Sequence, residues 1–289
     1  MSTAPTLAYE VVDVFTDSAF AGNPLAVVLD ADDLTTAQLQ TLAAEFNLSE
    51  TAFPMQAADG ADYRLRIFTP SVELPFAGHP SVGAAWLLAR LGRLAPGSRV
   101  QSCGAGLLPV QVSAVGGPVT LTGGASSCGE PLDPAPLLAA VGLDAEDLAG
   151  VAARAAGAGI DWTYLLVRPE ALTRVTPHPA GLAAMTTTGI AVVTWQDGRA
   201  RARCLVGGEV GMFEDPATGS AAVGLGVFLA ASGLLGDGSH DYTVTQGVEM
   251  GRPSTLLCTV DVLDGLALRT TVTGSVVQIA RGEIRVPAV

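Results

Sequence analysis

Apolar and polar positions alternate along "DYRLRIFT" (62–69), with Tyr63, Leu65 and Ile67 on one side and Arg64 and Arg66 on the other. A period of two predicts a strand with one buried face. "YEVVDVFT" (9–16) and "PLAVVLD" (24–30) are rich in β-branched residues and flank the turn-forming "DSAFAGN", so they predict two more strands. "SETAFP" (49–54) predicts another. Over 36–46 the period lengthens, and Leu39, Leu42, Ala43 and Phe46 fall on one helical face. The threonines before that segment can cap a helix, and Asn47 marks its end. A second helix is predicted from about Pro80 to Leu91.

From about Gly116 to Pro136 the pattern breaks into turn formers with one short strand inside, which places a domain boundary there. Beyond it the pattern predicts strands near 162–168, 189–195 and 200–206, a helix near 218–232, and further strands to the end. Mostly antiparallel strands with few helices point to an α+β class. The segments do not alternate βαβα, which argues against a doubly wound parallel sheet. One string also echoes another. "PFAGHPSVGAAWLL" (75–88) and "PATGSAAVGLGVFL" (216–229) align at an offset of 141 (219 − 78), pairing Pro75 with Pro216, Gly78 with Gly219, Val82 with Val223, Gly83 with Gly224 and Leu88 with Leu229. Two small-residue helices can agree by chance. A duplicated domain is the more economical explanation, since both copies follow a charged segment and both open a helix. The expected domains are 1–118 and 119–276, with the C-terminal strand 277–289 available to complete the first.

Composition narrows the class. A chain of 289 residues with mean hydropathy +0.42 and only 15 % charged residues can bury a large core and is not disordered. Its apolar runs stop short of the roughly 18–20 residues that span a bilayer, so no membrane partner is expected. The first residues lack a basic segment followed by an apolar one, so a cytoplasmic protein is expected. The net charge of −13 repels phosphate backbones, which argues against nucleic acid. Cys103, Cys128, Cys204 and Cys258 form no C-x-x-C pair and lie apart from the histidines in sequence. Metal and dithiol chemistry are therefore not expected, and buried thiols in a reducing compartment are.

The two echoing strings have a physical use. The first N–H groups of a helix lack partners within it, and its dipole places partial positive charge there. Small residues let a ligand approach that backbone closely. "AGHPSVG" and "ATGSAAVG" are built this way, so a substrate carboxylate is the natural ligand. Neither string is a P-loop, which disfavours a nucleotide phosphate. Glu50 falls between a helix end and a strand start. Position alone suits a solvated loop glutamate, but partial burial there would raise its pKa toward a value useful for accepting and returning a proton. His79 is the only histidine beside a glycine at a helix start, while His178 and His240 read as loop residues. The helix N-terminus disfavours an imidazolium at His79, although a turn histidine satisfied by backbone is also compatible with the sequence. Asp215 reads first as a helix cap, with Pro216 in the first turn.

"NLSETAF", "FTPSVELPFAGHP", "EDPATGSAA" and "TQGVEMGRPS", together with "DVFTDSAFAGNPLAVV", resemble the phenazine-biosynthesis isomerase (PhzF-like) family in order and spacing across most of the chain. That resemblance implies two pseudo-symmetric domains of the diaminopimelate-epimerase fold. Each would be a mostly antiparallel sheet or barrel around a central helix, with the active site in the cleft between them. It implies an isomerase without metal or organic cofactor that moves a proton within a small carboxylate-bearing substrate, like trans-2,3-dihydro-3-hydroxyanthranilate isomerase. It implies Glu50, His79 and Asp215 as the catalytic residues. Asn23, Ser49, Gly78, Thr218, Gly219 and Ser220 would be the substrate ligands, and a homodimer is expected. Epimerases and racemases of this fold use two facing cysteines at the helix starts, where this chain has Ala77 and Thr218. A single carboxylate working on one face of the substrate is then the expected chemistry. An epimerase or lyase acting on another small amino or hydroxy acid, and a ligand-binding member without catalysis, are the competing expectations.

Overall fold

The computed structural model of the chain describes residues 5–57, 60–184, 187–207 and 214–288. In chain order its elements are β1 (Thr6–Val14), β2 (Asn23–Val28), α1 (Thr36–Phe46), β3 (Thr51–Met55), β4 (Tyr63–Phe68), β5 (Glu73–Leu74), α2 (Gly78–Arg90), β6 (Gly97–Cys103), β7 (Gly106–Val112), β8 (Val119–Thr122) and β9 (Ser126–Cys128). They continue with α3 (Pro134–Val141), β10 (Arg154–Ala158), β11 (Asp161–Leu166), α4 (Pro169–Leu172), α5 (Pro179–Ala183), β12 (Gly189–Gln196), β13 (Arg199–Val206), β14 (Glu214–Asp215), α6 (Gly219–Ala231), β15 (Gly238–Gln246), β16 (Ser254–Leu263), β17 (Leu266–Gly274) and β18 (Val276–Arg285). The chain divides into two compact units. Unit 1 is Met1–Leu121 with Gly274–Val289, and unit 2 is Thr122–Thr273.

In unit 1 the strands pair in the order β18, β1, β2, β3, β4, β6, β7, β8, with β5 also on β4. Two pairs, β2–β3 and β4–β6, are parallel because a helix crosses over between their members. The sheet packs around α2, which touches β1, β2, β3, β4, β7 and β18. All of α2 from His79 to Ala89 is buried, as expected of a helix that is apolar or small on every face. Gly83 explains the close approach: a Cβ there would stand 2.6 Å from Leu25 Cδ2. On the outer side, α1 covers Val28, Phe53 and Phe68 with Leu39, Leu42 and Ala43. Its ends follow local chemistry. Thr35 and Gln38 form a capping box, and Asn47 closes the helix in the left-handed conformation at φ 51°.

In unit 2 the order is β9, β10, β11, β12, β13, β15, β16, β17, with β14 on β13 and the pairs β11–β12 and β13–β15 parallel. Each pairing has its counterpart in unit 1, strand by strand. α6 takes the place of α2, packing on β9, β10, β11 and β16. The offset of 141 maps Gly78–Arg90 onto Gly219–Ala231 end to end and Gly83 onto Gly224, where a Cβ would meet the Tyr164 hydroxyl at 2.4 Å. Two interactions recur with it. Gln101 Nε2 donates to Ser81 Oγ at 3.0 Å, and at the offset positions the Tyr242 hydroxyl donates to the Ala222 carbonyl at 2.7 Å. Arg66 grips Glu73 bidentately at 2.7 and 2.6 Å, and Arg203 grips Glu214 likewise at 2.9 and 2.6 Å.

Some sequence expectations need correction. Both long buried helices start at glycine, at Gly78 and at Gly219. Thr218, not Asp215, is the N-cap residue of α6, and Pro216 lies before the helix. The stretch read as holding one short strand holds β8 and β9, and α3 begins inside it, capped by Asp133. That helix was hidden because its apolar residues come as a short run between prolines and glycine rather than at a clear period. His240 lies in β15, with Nε2 2.7 Å from the Gly236 carbonyl. All four cysteines are free. Cys204 and Cys258 are buried, Cys103 is half-buried and Cys128 is exposed.

Candidate functional site

In unit 1, parallel pairing of β2 with β3 sets Ala26 beside Thr51, so the starts of both strands lie at the same end of the sheet. Asn23 opens β2, while Ser49 and Glu50 lead into β3. The first turn of α2 reaches the same end with His79. Glu50 Oε2 lies 3.6 Å from His79 Nε2, just outside hydrogen-bond range, with the two side chains 17 % and 5 % exposed. Among the described residues, nothing donates a hydrogen bond to that buried oxygen. Behind the pair, Asn23 Nδ2 stands 3.3 Å from His79 Nδ1, and the Ser49 hydroxyl donates to Asn23 Oδ1 at 3.3 Å. Loss of solvent raises the Glu50 pKa from 4.5 to about 7, with the neighbouring Ser49 side chain opposing the shift. A carboxyl near neutrality can both take and return a proton at working pH.

In unit 2 the corresponding region has other chemistry. The Thr218 hydroxyl donates to Asp215 Oδ2 at 2.6 Å. Gln246, fully buried, ties the turn together. Its Nε2 donates to the Asp215 carbonyl at 2.7 Å and to Thr218 Oγ1 at 2.9 Å, and its Oε1 accepts from the Thr218 N–H at 3.1 Å. The Trp162 indole N–H donates to Ser220 Oγ at 3.0 Å, leaving the serine proton to point elsewhere. Cys204 pairs with Asp215 across the ladder, and burial pushes its thiol far up, so it is an inert neutral thiol. Neither Ala77 nor Thr218 caps its helix through a side chain, and neither first turn carries an acidic residue. Both helix starts, at Gly78 and at Gly219–Ser220, therefore keep the polarity that attracts an anion.

The ladders also show what replaces Glu50 in unit 2. Thr51 pairs with Phe68 and Phe68 with Glu73, while Ile190 pairs with Leu205 and Leu205 with Glu214. Glu73 and Glu214 correspond at the offset of 141, so Thr51 corresponds to Ile190 and Glu50 to Gly189. A Cβ at Gly189 would meet the Leu205 carbonyl oxygen at 2.1 Å and the Trp162 ring at 2.8 Å. The tryptophan occupies the room that a carboxylate would need, and Ser220 stands where unit 1 has His79. The structure thus joins Glu50, His79, Asn23 and Ser49 in one cluster, and Asp215, Thr218 and Ser220 in a second with Gln246 and Trp162.

Sequence reasoning missed Gln246 and Trp162. Gln246 lay within "TQGVEMGRPS" and had a signal, whereas Trp162 had none. Among the described residues no group of three or more His, Cys, Asp or Glu is arranged to hold a metal ion, and no helix is long and apolar enough to cross a membrane.

Residues 12–282 match the family described as phenazine biosynthesis-like protein, PhzC-PhzF. The chain belongs to this family. It is 33 % identical over 284 residues to trans-2,3-dihydro-3-hydroxyanthranilate isomerase of Pseudomonas fluorescens, covering 96 % of this chain and 98 % of that one. A Bacillus anthracis phenazine biosynthesis protein of the PhzF family shares the fold at TM-score 0.87 and 24 % identity, over 97 % of this chain and 99 % of that one. The fold extends to a hydroxyproline epimerase of Agrobacterium vitis, at TM-score 0.66 and 15 % identity over 97 % and 92 % of the two chains. As a PhzC-PhzF member the protein is an isomerase, on the α+β fold shared with that epimerase.

Proposed function

We propose that the protein is a cofactor-independent isomerase that shifts a proton within a small carboxylate-bearing substrate, of the kind named for the Pseudomonas fluorescens relative, trans-2,3-dihydro-3-hydroxyanthranilate. The observation that carries this reading is a buried carboxyl poised near neutrality, Glu50 beside His79, with glycine and serine at the corresponding places of the other unit. Glu50 takes the proton from one carbon and returns it to another on the same face. His79 faces Glu50 and steadies its carboxylate form before the transfer, and the negative charge left by the proton resides on the substrate until the proton is returned. The N–H groups at a helix start bind the substrate carboxylate: those of α2 open beside Glu50 and His79, and those of α6, with the Ser220 hydroxyl, are the second candidate. Asp215, oriented by Thr218 and Gln246, accepts a hydrogen bond from an amino group.

Turnover of trans-2,3-dihydro-3-hydroxyanthranilate by wild type and Glu50→Gln tests the assignment. The variant is expected to bind ligand nearly as well as wild type and to lose turnover. Turnover within about tenfold of wild type, about 1.4 kcal/mol of barrier, overturns Glu50 as the base. The shared fold with a hydroxyproline epimerase keeps epimerisation as a second reading. Reaction in deuterium oxide separates the two: internal transfer leaves part of the substrate hydrogen in the product, whereas inversion of a stereocentre exchanges it. The cofactor-free reading predicts that a chelator leaves activity unchanged, and loss reversed by zinc contradicts it.

A further inference from the structure

We infer that Asn23 is a positioning residue that fixes His79 as the neutral tautomer protonated on Nε2, with that N–H facing Glu50. An amide nitrogen can only donate a hydrogen bond, so Asn23 Nδ2 at 3.3 Å from His79 Nδ1 requires a lone pair on Nδ1. The ring proton of the neutral imidazole is then on Nε2, the atom 3.6 Å from Glu50 Oε2. The orientation of the amide is set from behind. The Ser49 hydroxyl donates to Asn23 Oδ1 at 3.3 Å, which turns the NH2 end toward the ring. Asn23 is fully buried, with its amide against the His79 ring. The buried oxygen of Glu50 fits the same picture, because an Nε2–H is the donor it faces, whereas a bare Nε2 would set lone pair against lone pair.

The other unit supplies an independent observation. Its ladders align Ala26 with Thr163, since Ala26 pairs with Thr51 and Thr163 with Ile190. Asn23 then corresponds to Ile160 and His79 to Ser220. The amide is present in the unit that has a ring to orient and replaced by an apolar residue in the unit that has none.

The experiment is nitrogen-15 NMR of the full-length protein labelled at its three histidines, without substrate at neutral pH. Signals are assigned with His178→Gln and His240→Gln variants. In wild type, His79 is expected to show an unprotonated Nδ1 and a protonated Nε2. In Asn23→Asp, of nearly the same shape, a carboxylate oxygen faces the ring, and Nδ1 is expected to become protonated. A wild-type His79 protonated on Nδ1 overturns the inference, whether or not Nε2 also carries a proton, and so does an Asn23→Asp ring identical to wild type. If Asn23→Asp does not fold, the wild-type spectrum decides alone. The link to catalysis rests on the proton-shift reading, but the ring signals do not: an inactive wild type with the expected tautomer would refute that reading and leave this one standing.

Discussion

The helix that starts at Gly78 and the helix that starts at Gly219 are both 13 residues long, lack a side-chain cap, and carry a glycine at the sixth position where a strand comes close. Each is braced by a side chain from the strand that follows it and preceded by a bidentate Arg–Glu pair. Around the first, Glu50, His79 and Asn23 make an acid–base cluster. Around the second, Gly189, Ser220 and Ile160 stand at the matching positions and Trp162 fills the space. The scaffold tolerated replacement of the chemistry because backbone pairing, glycine contacts and clamps hold each unit without the site residues. The braces show the same tolerance: glutamine-to-serine in one unit and tyrosine-to-carbonyl in the other satisfy the same need.

That contrast can be broken at several points. The largest effect is expected at the cluster itself. Glu50→Gln should lower kcat by about 10²–10⁴-fold, the usual contribution of general acid–base catalysis. Ser220→Ala, at the place matching His79, should cost about tenfold to a hundredfold, mostly in KM, as for one hydrogen bond to a charged group. Equal losses in kcat at both positions would erase the proposed division between proton transfer and binding.

Next come the two clamps. Arg203 and Glu214 are 9 % and 12 % exposed, and Arg203 also donates to the carbonyls of Leu172 and Val175. Arg203→Met should therefore destabilise by about 3–5 kcal/mol, because Glu214 stays buried without its partner. Arg66→Met should cost less than about 1 kcal/mol, since Glu73 is 38 % exposed and water can take over. Urea unfolding of the two variants checks the difference, and similar midpoints would contradict it.

A smaller effect concerns Glu50 and pH. Its folded pKa is raised from 4.5 to about 7, so between those values the native state keeps a proton that the unfolded state has released. Stability from this group then falls as pH rises across that window. Glu50→Gln removes the penalty and should be more stable than wild type by about 3 kcal/mol at about pH 8, with the gap closing near about pH 4. A gap independent of pH would show that Glu50 ionises normally. The smallest effect is expected at a brace. Tyr242→Phe leaves the Gly226 N–H and the Ala222 carbonyl without their side-chain partner and should cost about 1–2 kcal/mol in the same unfolding assay.

Much of this molecule was legible in its sequence. Period-two alternation marked β4, the 3.6 period with Thr35 and Asn47 marked α1, and the repeated small-residue string marked both buried helices. These signals are local: spacing, capping and backbone freedom act within a few residues. The same string, read against five motifs, identified the family and proposed Glu50, His79 and Asp215. What the sequence could not order was anything decided by strands far apart in the chain. Gln246 meets Thr218 because β15 lies beside β13, and Asn23 meets His79 because β2 and α2 begin at the same end of the sheet. Trp162 excludes a counterpart of Glu50 only because β11 and β12 pair in parallel. The raised pKa of Glu50 belongs to the same class. Sequence by itself determined which residue types were available and which segments would be helix or strand. The tertiary structure decided which of them lost water together, because burial and register are properties of neighbours that the chain brings in from a distance.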